Sequence, residues 1–230
     1  MDSDDHIDER YIETLDPYTG KADIIEFGRY HADNSYIFMP YKYKEETPLE
    51  HFLRSALKGY PWSLVTRIFS CSLFQKPLEY ADYFFAEDYY LLAQLYSRVC
   101  REILNIQQVL YYSEPSVNSL TRSVFDERML TGIYAKEDVL KNYVGLKKEK
   151  KYMQANLIIS ILNITEWFYQ YNRPVFEKNQ ELLRRTFRKY GTGDILSYMG
   201  WRGKIKYALY AISPQLFLYV KSCYGKVKKL

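Results

Sequence analysis

Phe84-Phe85-Ala86-Glu87-Asp88-Tyr89-Tyr90-Leu91-Leu92, with the run that follows it to Val109-Leu110-Tyr111-Tyr112, decides the fold class. Glu87 and Asp88 stand where a helix N-terminus favours negative charge, and Leu91, Leu92, Leu95 and Val99 then recur at helical spacing. Arg101 to Tyr112 returns as one or two strands, most strand-like over its last four residues. The same alternation of element types runs upstream. Ala22 to Tyr30 alternates, with Ile25, Phe27 and Arg29 set against Ile24, Glu26 and Gly28. Tyr36 to Tyr41 is a second β-rich run, and His31-Ala32-Asp33-Asn34 between them reads as a hairpin loop. Thr47-Pro48-Leu49-Glu50 frames a helix start, Leu49, Phe52, Leu53, Ala56 and Leu57 form its apolar stripe, and Gly59 ends it. Trp62 to Phe69 reads as a strand, and Ile7 to Leu15 as a short amphipathic helix with Tyr11, Ile12 and Leu15 on one face.

Downstream of Phe125 the periodicity is helical throughout. Lys150 to Tyr171 carries Leu157, Ile158, Ile161, Leu162, Ile164, Trp167 and Phe168, and Pro174 to Tyr190 has proline at its start and Gly191 after its end. Lys147-Lys148-Glu149-Lys150-Lys151 reads as a solvated turn, and Gly191-Thr192-Gly193 as a helix stop. The expected class is therefore α/β, a mixed sheet with helices, followed by a mostly helical C-terminal region. Three segments are expected: 1–122, 123–200 and a basic amphipathic tail over 201–230.

Composition narrows the function classes. At 230 residues, 47% hydrophobic and 26% charged, the chain can bury a sizeable core. Its 25 tyrosines suit sugar-binding grooves as well as half-buried surfaces. Cys71, Cys100 and Cys223 are odd in number and far apart, which excludes a disulfide framework and a CxxC site and points to a reducing, cytoplasmic compartment. No secretion signal is expected, and the longest apolar run is too short to span a bilayer. The sequence has no HExxH, no GxSxG and no GxxxxGK.

Asp2-Ser3-Asp4-Asp5 sets three carboxylates in four positions, hard oxygen ligands of the kind that Mg²⁺ or Mn²⁺ takes beside a diphosphate. Taken alone, these acids serve equally as a solvated end or as helix caps, and the Glu87-Asp88 pair serves equally as charges on a helix dipole. Their order changes the reading. Asp2-Ser3-Asp4-Asp5-His6-Ile7, then Tyr11-Ile12-Glu13-Thr14-Leu15, a hairpin, Trp62 before an apolar-basic strand containing Arg67, Glu87-Asp88, paired tyrosines at Tyr111-Tyr112, and Asn118-Ser119-Leu120-Thr121-Arg122-Ser123 follow one another. This series resembles the C-terminal half of a family 2 glycosyltransferase of the GT-A type, beginning at its DXD motif. The likeness covers about residues 2 to 130 closely and the helical remainder loosely.

The resemblance implies a Rossmann-related catalytic domain and inverting transfer of a sugar from a nucleotide-diphosphate donor, a UDP-sugar, to a saccharide or lipid-linked saccharide acceptor in bacterial polysaccharide biosynthesis. It implies that Asp4 and Asp2 bind Mn²⁺ or Mg²⁺ and the nucleotide. Asp88 would be the catalytic base with Glu87 beside it, and Trp62 and Arg122 would lie near the acceptor. Two departures stand out. The only histidines, His6, His31 and His51, precede Asp88, so the downstream His ligand of some members is missing, and the processive QxxRW motif is absent. The family also sets an apolar strand and a nucleotide-binding βαβ unit, about 85 to 100 residues, ahead of the acidic motif. Met1 directly precedes Asp2 here, so the expectation is a truncated enzyme or, alternatively, a non-catalytic remnant that binds a membrane or a partner.

The net charge of +4 is unevenly placed: Arg202 to Leu230 holds seven Lys or Arg and no Asp or Glu. Together with the aromatic and aliphatic run Tyr207 to Val220, this composition fits a segment lying on an anionic membrane surface, peripheral at the inner membrane face. It also fits a helix packed on its own domain with solvated lysines, or a partner helix. Nucleic acid is not expected as a partner, because the charges form no recognisable module.

Overall fold

The computed structural model describes residues 5–32, 35–44, 46–114 and 125–227, so Asp2, Asp4, Asn118, Ser119 and Arg122 lie outside the described residues. The fold is α/β, with a mixed sheet and helices. The chain divides into two compact units, Met1–Asp82 with Glu87–Leu120, and Tyr83–Ala86 with Thr121–Leu230. The tail expected from residue 201 falls inside the second unit.

The first unit is built on β2 (Ile24–His31), the strand in which every residue from Ile24 to Gly28 is buried. It pairs in parallel with β5 (Ile103–Ser113), Ile24 facing Ile103 and Tyr30 facing Tyr112. It runs antiparallel to β3 (Tyr36–Phe38) and β4 (Arg67–Phe69), and β1 (His6–Ile7) lies antiparallel to the far side of β5. A parallel pair needs a long crossover, supplied here by the chain from β3 through α2 (Pro48–Leu57), β4 and α3 (Glu87–Ser97). Gly28 marks a shift of register against β5, and an added Cβ would lie 2.5 Å from Met39 Sδ and 2.8 Å from the Gln108 carbonyl oxygen. Glycine is needed there because the neighbouring backbone leaves no space for a side chain.

One face of the sheet is an apolar layer in which Leu15 and Ala22 pack on Ile25, Phe27, Ile106, Leu110 and Tyr111. Leu15 belongs to α1 (Tyr11–Leu15), which is shorter than the helix expected from Ile7, because His6 and Ile7 pair with Tyr112 and Tyr111 instead. Ile12, expected to face inward, is 73% exposed. The other face takes α2 and α3, whose Phe52 stacks on Tyr96 at 5.0 Å and tilts against Tyr89 at 4.9 Å. The frame of α2 is local and follows the sequence. Thr47 Oγ1 accepts the Glu50 N–H at 3.0 Å, and Gly59, at φ 92°, ends the helix while Tyr60 N–H returns to the Ser55 carbonyl at 3.0 Å. The strand expected over Trp62–Phe69 is only β4, preceded by a 3₁₀ turn at Leu64–Thr66.

The second unit is helical: α4 (Thr131–Asn142), α5 (Lys147–Tyr171), α6 (Arg173–Tyr190), α7 (Trp201–Ile212) and α8 (Pro214–Val227). Its spine is α5, which buries Met153, Leu157, Ile158, Ile161, Leu162, Ile164 and Phe168. Full burial of side chains this size stabilises by roughly 1.5–3 kcal/mol each. The lysine-rich stretch at Lys147–Lys151, expected as a solvated turn, is the first turn of this helix. Glu149 reaches back to accept the N–H groups of Gly145 and Leu146, both at 3.1 Å, and so satisfies donors that a helix start leaves open.

Candidate functional site

The acidic pair Glu87-Asp88 opens α3, as its residue types dictate. Asp88 Oδ2 accepts the backbone N–H of Leu64 at 3.2 Å, which ties the helix start to the turn that follows Trp62. The Trp62 ring stands edge-on to Tyr89 at 5.7 Å, and Tyr89 is buried against Phe52. Glu87 is exposed; burial first, and then the charge of Asp88, raises its pKa above the ordinary glutamate value. Trp62, Glu87 and Asp88 are thereby gathered around the first turn of one helix.

The turn bearing Trp62 is braced from below. Arg67 is buried, and its Nη1 donates to the carbonyls of Pro61 at 3.0 Å and Ser63 at 2.8 Å. Its Nε donates to the Tyr96 hydroxyl at 2.7 Å and lies 3.3 Å from Glu26 Oε1. Arg67, the basic residue of the strand expected after Trp62, turns its side chain inward, where it holds the turn.

Arg67 belongs to a buried charge network that the sequence reading missed. Glu26, fully buried in β2, accepts from His51 Nε2 at 2.9 Å and Asn105 Nδ2 at 2.7 Å on one oxygen, and from the Tyr96 hydroxyl on the other. His51 Nδ1 lies 3.2 Å from Glu46 Oε1, and Arg54 clasps Glu46 through Nε at 2.9 Å and Nη2 at 2.6 Å. Burial alone would lower the pKa of His51, but hydrogen bonds and charge from Glu26 and Glu46 outweigh it and leave the value raised. Glu46 is pulled down to about 2, its burial overridden by His51 and Arg54. His51 Nε2 faces the Glu26 carboxylate, while Nδ1 lies between the Glu46 carboxylate and Arg54 Nη2, each at 3.2 Å, so the two acids favour the imidazolium and the guanidinium opposes it. The sequence did carry a signal: Glu26 interrupts an apolar strand run, and His51 and Arg54, three residues apart, share a face of α2.

Beside this network is an open cleft of about 810 Å³ lined by Pro40, Tyr41, Lys42, Tyr43, Asn105 and Gln107, among others. Asn105 joins the two, since its Oδ1 accepts the Tyr43 N–H at 2.5 Å while its Nδ2 binds Glu26.

Of the acidic segment, Asp5 is described and Asp2 and Asp4 are not. Asp5 Oδ2 accepts from the Tyr111 hydroxyl, and Oδ1 accepts the Glu114 N–H at 3.1 Å. Tyr112, beside it, stacks on His6 at 4.8 Å between ring centres. Asp5 thus ties the acidic segment to the end of β5, one oxygen to Tyr111 and the other to the Glu114 backbone. Among the described residues, no three His, Cys, Asp or Glu side chains converge as a ligand set.

No family model and no curated protein matches this chain.

Proposed function

We propose that this chain carries the acceptor-side machinery of an inverting glycosyltransferase resembling family 2, GT-A type. It would transfer a sugar from a nucleoside-diphosphate donor, such as a UDP-sugar, to a saccharide or lipid-linked saccharide. The observation that carries the reading is the gathering of Trp62, Glu87 and Asp88 at the first turn of α3. An aromatic ring offers a face to the C–H groups of a sugar, and an adjacent carboxylate can remove a hydroxyl proton.

In this reading Asp88 takes the proton of the acceptor hydroxyl as that oxygen attacks the anomeric carbon. The bond to the departing diphosphate breaks on the opposite face, and the configuration inverts. Glu87 and Arg122 bind the acceptor with Trp62, and Arg67 is a positioning residue that acts through the Pro61–Ser63 turn. Mn²⁺ or Mg²⁺, when held by Asp2 and Asp4, would act as a Lewis acid toward the diphosphate. The proposed setting is the cytoplasm, peripheral to the inner membrane face, where a lipid-linked acceptor is presented.

The test is release of nucleoside diphosphate from a panel of UDP-, GDP- and TDP-sugars with Mn²⁺ and saccharide acceptors, alongside calorimetry with UDP and Mn²⁺. Asp88→Asn keeps an oxygen for the Leu64 N–H and is expected to lower turnover by about 10²- to 10⁴-fold while leaving the heat of UDP binding unchanged. Neither heat nor release across the panel, or full turnover in Asp88→Asn, would overturn the reading.

A further inference from the structure

Helices α7 and α8 each carry two apolar stripes, and only one of each is used inside the fold. Both helices pack on α5. On the inner side, Tyr207 and Tyr210 meet Phe187 at 5.1 and 4.6 Å, and Tyr210 meets Phe217 at 5.6 Å. On the outer side of α7, Trp201, Ile205, Ala208 and Ile212 recur at i, i+4, i+7 and i+11, all exposed, with Trp201 at 68% and Ile212 at 75%. On α8, Leu216, Tyr219, Val220 and Cys223 continue at i, i+3, i+4 and i+7, and all are exposed. Scattered surface hydrophobes need no explanation, but two successive helices with a periodic exposed stripe opposite a buried one do.

Charge identifies what covers this face. From Arg202 to Leu230 the sequence holds seven cations and no acid. Lys206 and Lys221 turn inward and share the Glu166 carboxylate, at 3.2 and 2.9 Å, so these two cations are drawn to the inner side. Arg202 and Lys204 are exposed and flank the α7 stripe, with the Arg202 guanidinium 5.4 Å from the Trp201 ring centre. An aromatic residue, aliphatics at helical spacing and flanking cations match the boundary of an anionic bilayer, where Trp sits among headgroups and Lys or Arg meets lipid phosphate. Among the described residues no helix is long and apolar enough to cross a membrane, so this pair would lie on the surface instead of spanning it. A protein partner would need acidic groups to meet Arg202 and Lys204, and a second copy would bring two cationic faces together.

We propose that the outer face of α7 and α8, centred on Trp201, Ile205, Ile212 and Leu216, is a docking surface for an anionic membrane leaflet. The proposal uses no residue of the transfer site, so it and the proposed activity stand or fall separately. The experiment is co-sedimentation of the full chain with extruded vesicles of phosphatidylcholine alone or with 30 mol% phosphatidylglycerol, together with quenching of Trp emission by brominated lipid. Binding is expected with the anionic vesicles and to weaken in 0.5 M NaCl, because charged contacts are screened. Ile205→Glu with Ile212→Glu, at exposed positions, is expected to lower partitioning by at least about tenfold without changing the thermal melt. Trp201→Phe should remove the quenching with binding retained. Equal binding to neutral and anionic vesicles, unchanged partitioning of the double variant, or quenching that survives Trp201→Phe would overturn the proposal. So would self-association abolished by the double variant in a chain that ignores vesicles, which would assign the face to a second copy.

Discussion

The two compact units handle buried charge in opposite ways. In the first, Glu26 and His51 are fully buried and each meets groups that favour its charged form: Glu26 has His51 and Arg67, which lower its pKa, and His51 has Glu26 and Glu46, which raise its own. In the second, Lys136 on α4 is 3% exposed, and burial pulls its pKa down from the ordinary lysine value to about 7. In one unit counter-charges and donors favour the charged forms of Glu26 and His51; in the other, burial brings Lys136 to the edge of neutrality at physiological pH. A buried network makes every member depend on the others, whereas at Lys136 burial works against the charge.

The largest expected effect breaks the first half of that contrast. Glu26→Ala leaves Arg67 without its carboxylate and His51 with Glu46 alone, and removing one partner of a buried ion pair costs about 3–5 kcal/mol. Urea unfolding should show a loss of that size in the first unit, and a loss under 1 kcal/mol would show that the network is not holding the charges. The loss should reach the candidate site, because Arg67 braces the turn that carries Trp62 and Leu64. Next comes Lys136→Met, with the opposite sign. The methionine has similar length and no charge, and each unit of pKa displacement corresponds to about 1.4 kcal/mol. A gain on the order of a few kcal/mol is expected at pH 6, fading by pH 11, where lysine is neutral in the unfolded chain as well. A destabilised Lys136→Met protein at pH 6 would mean that the amine is held by its surroundings and not strained by them.

The same contrast explains which features were legible in the sequence. Helix frames read correctly where the signals are local: Thr47 with Pro48 and Gly59 bound α2, Glu87-Asp88 opens α3, and Gly191 closes α6. Errors arose where a distant partner decides. His6 and Ile7 left the expected first helix because β5 pairs with them, and the strand expected from Trp62 gave way to a 3₁₀ turn held by Arg67 and Asp88. The charge run at Lys147–Lys151 hid a helix start that Glu149 caps. Of the candidate site, the residue types of Trp62, Glu87 and Asp88 were readable, and their meeting at one helix turn was not, because it depends on long-range contacts. The Glu26–His51 network was missed because helix and strand patterns treat a buried polar residue as an exception, while five elements, β2, α2, β4, α3 and β5, converge to supply its partners.

The smallest effect is the sharpest test, because the two units should respond to pH in opposite directions. His51 has a raised pKa in the folded chain, so its contribution to stability is fully present below the unfolded value near 6.5 and is lost as pH rises through the folded value. Lys136 is the reverse. Between about 7 and the ordinary lysine value of 10.5 the unfolded chain binds more protons than the folded one, so stability rises with pH over that window. Each effect is limited to about 1.4 kcal/mol per pH unit, the slope for one proton. Amide hydrogen exchange, corrected for intrinsic rates and resolved by segment between pH 6.5 and 9.5, separates the two. Protection over β2 and α2 should decline with pH while protection over α4 and α5 grows. His51→Gln, which keeps a donor toward Glu26, should flatten only the first trend, and Lys136→Met only the second. If both segments move in the same direction, or if either substitution flattens both, the two units do not manage buried charge separately and the contrast fails.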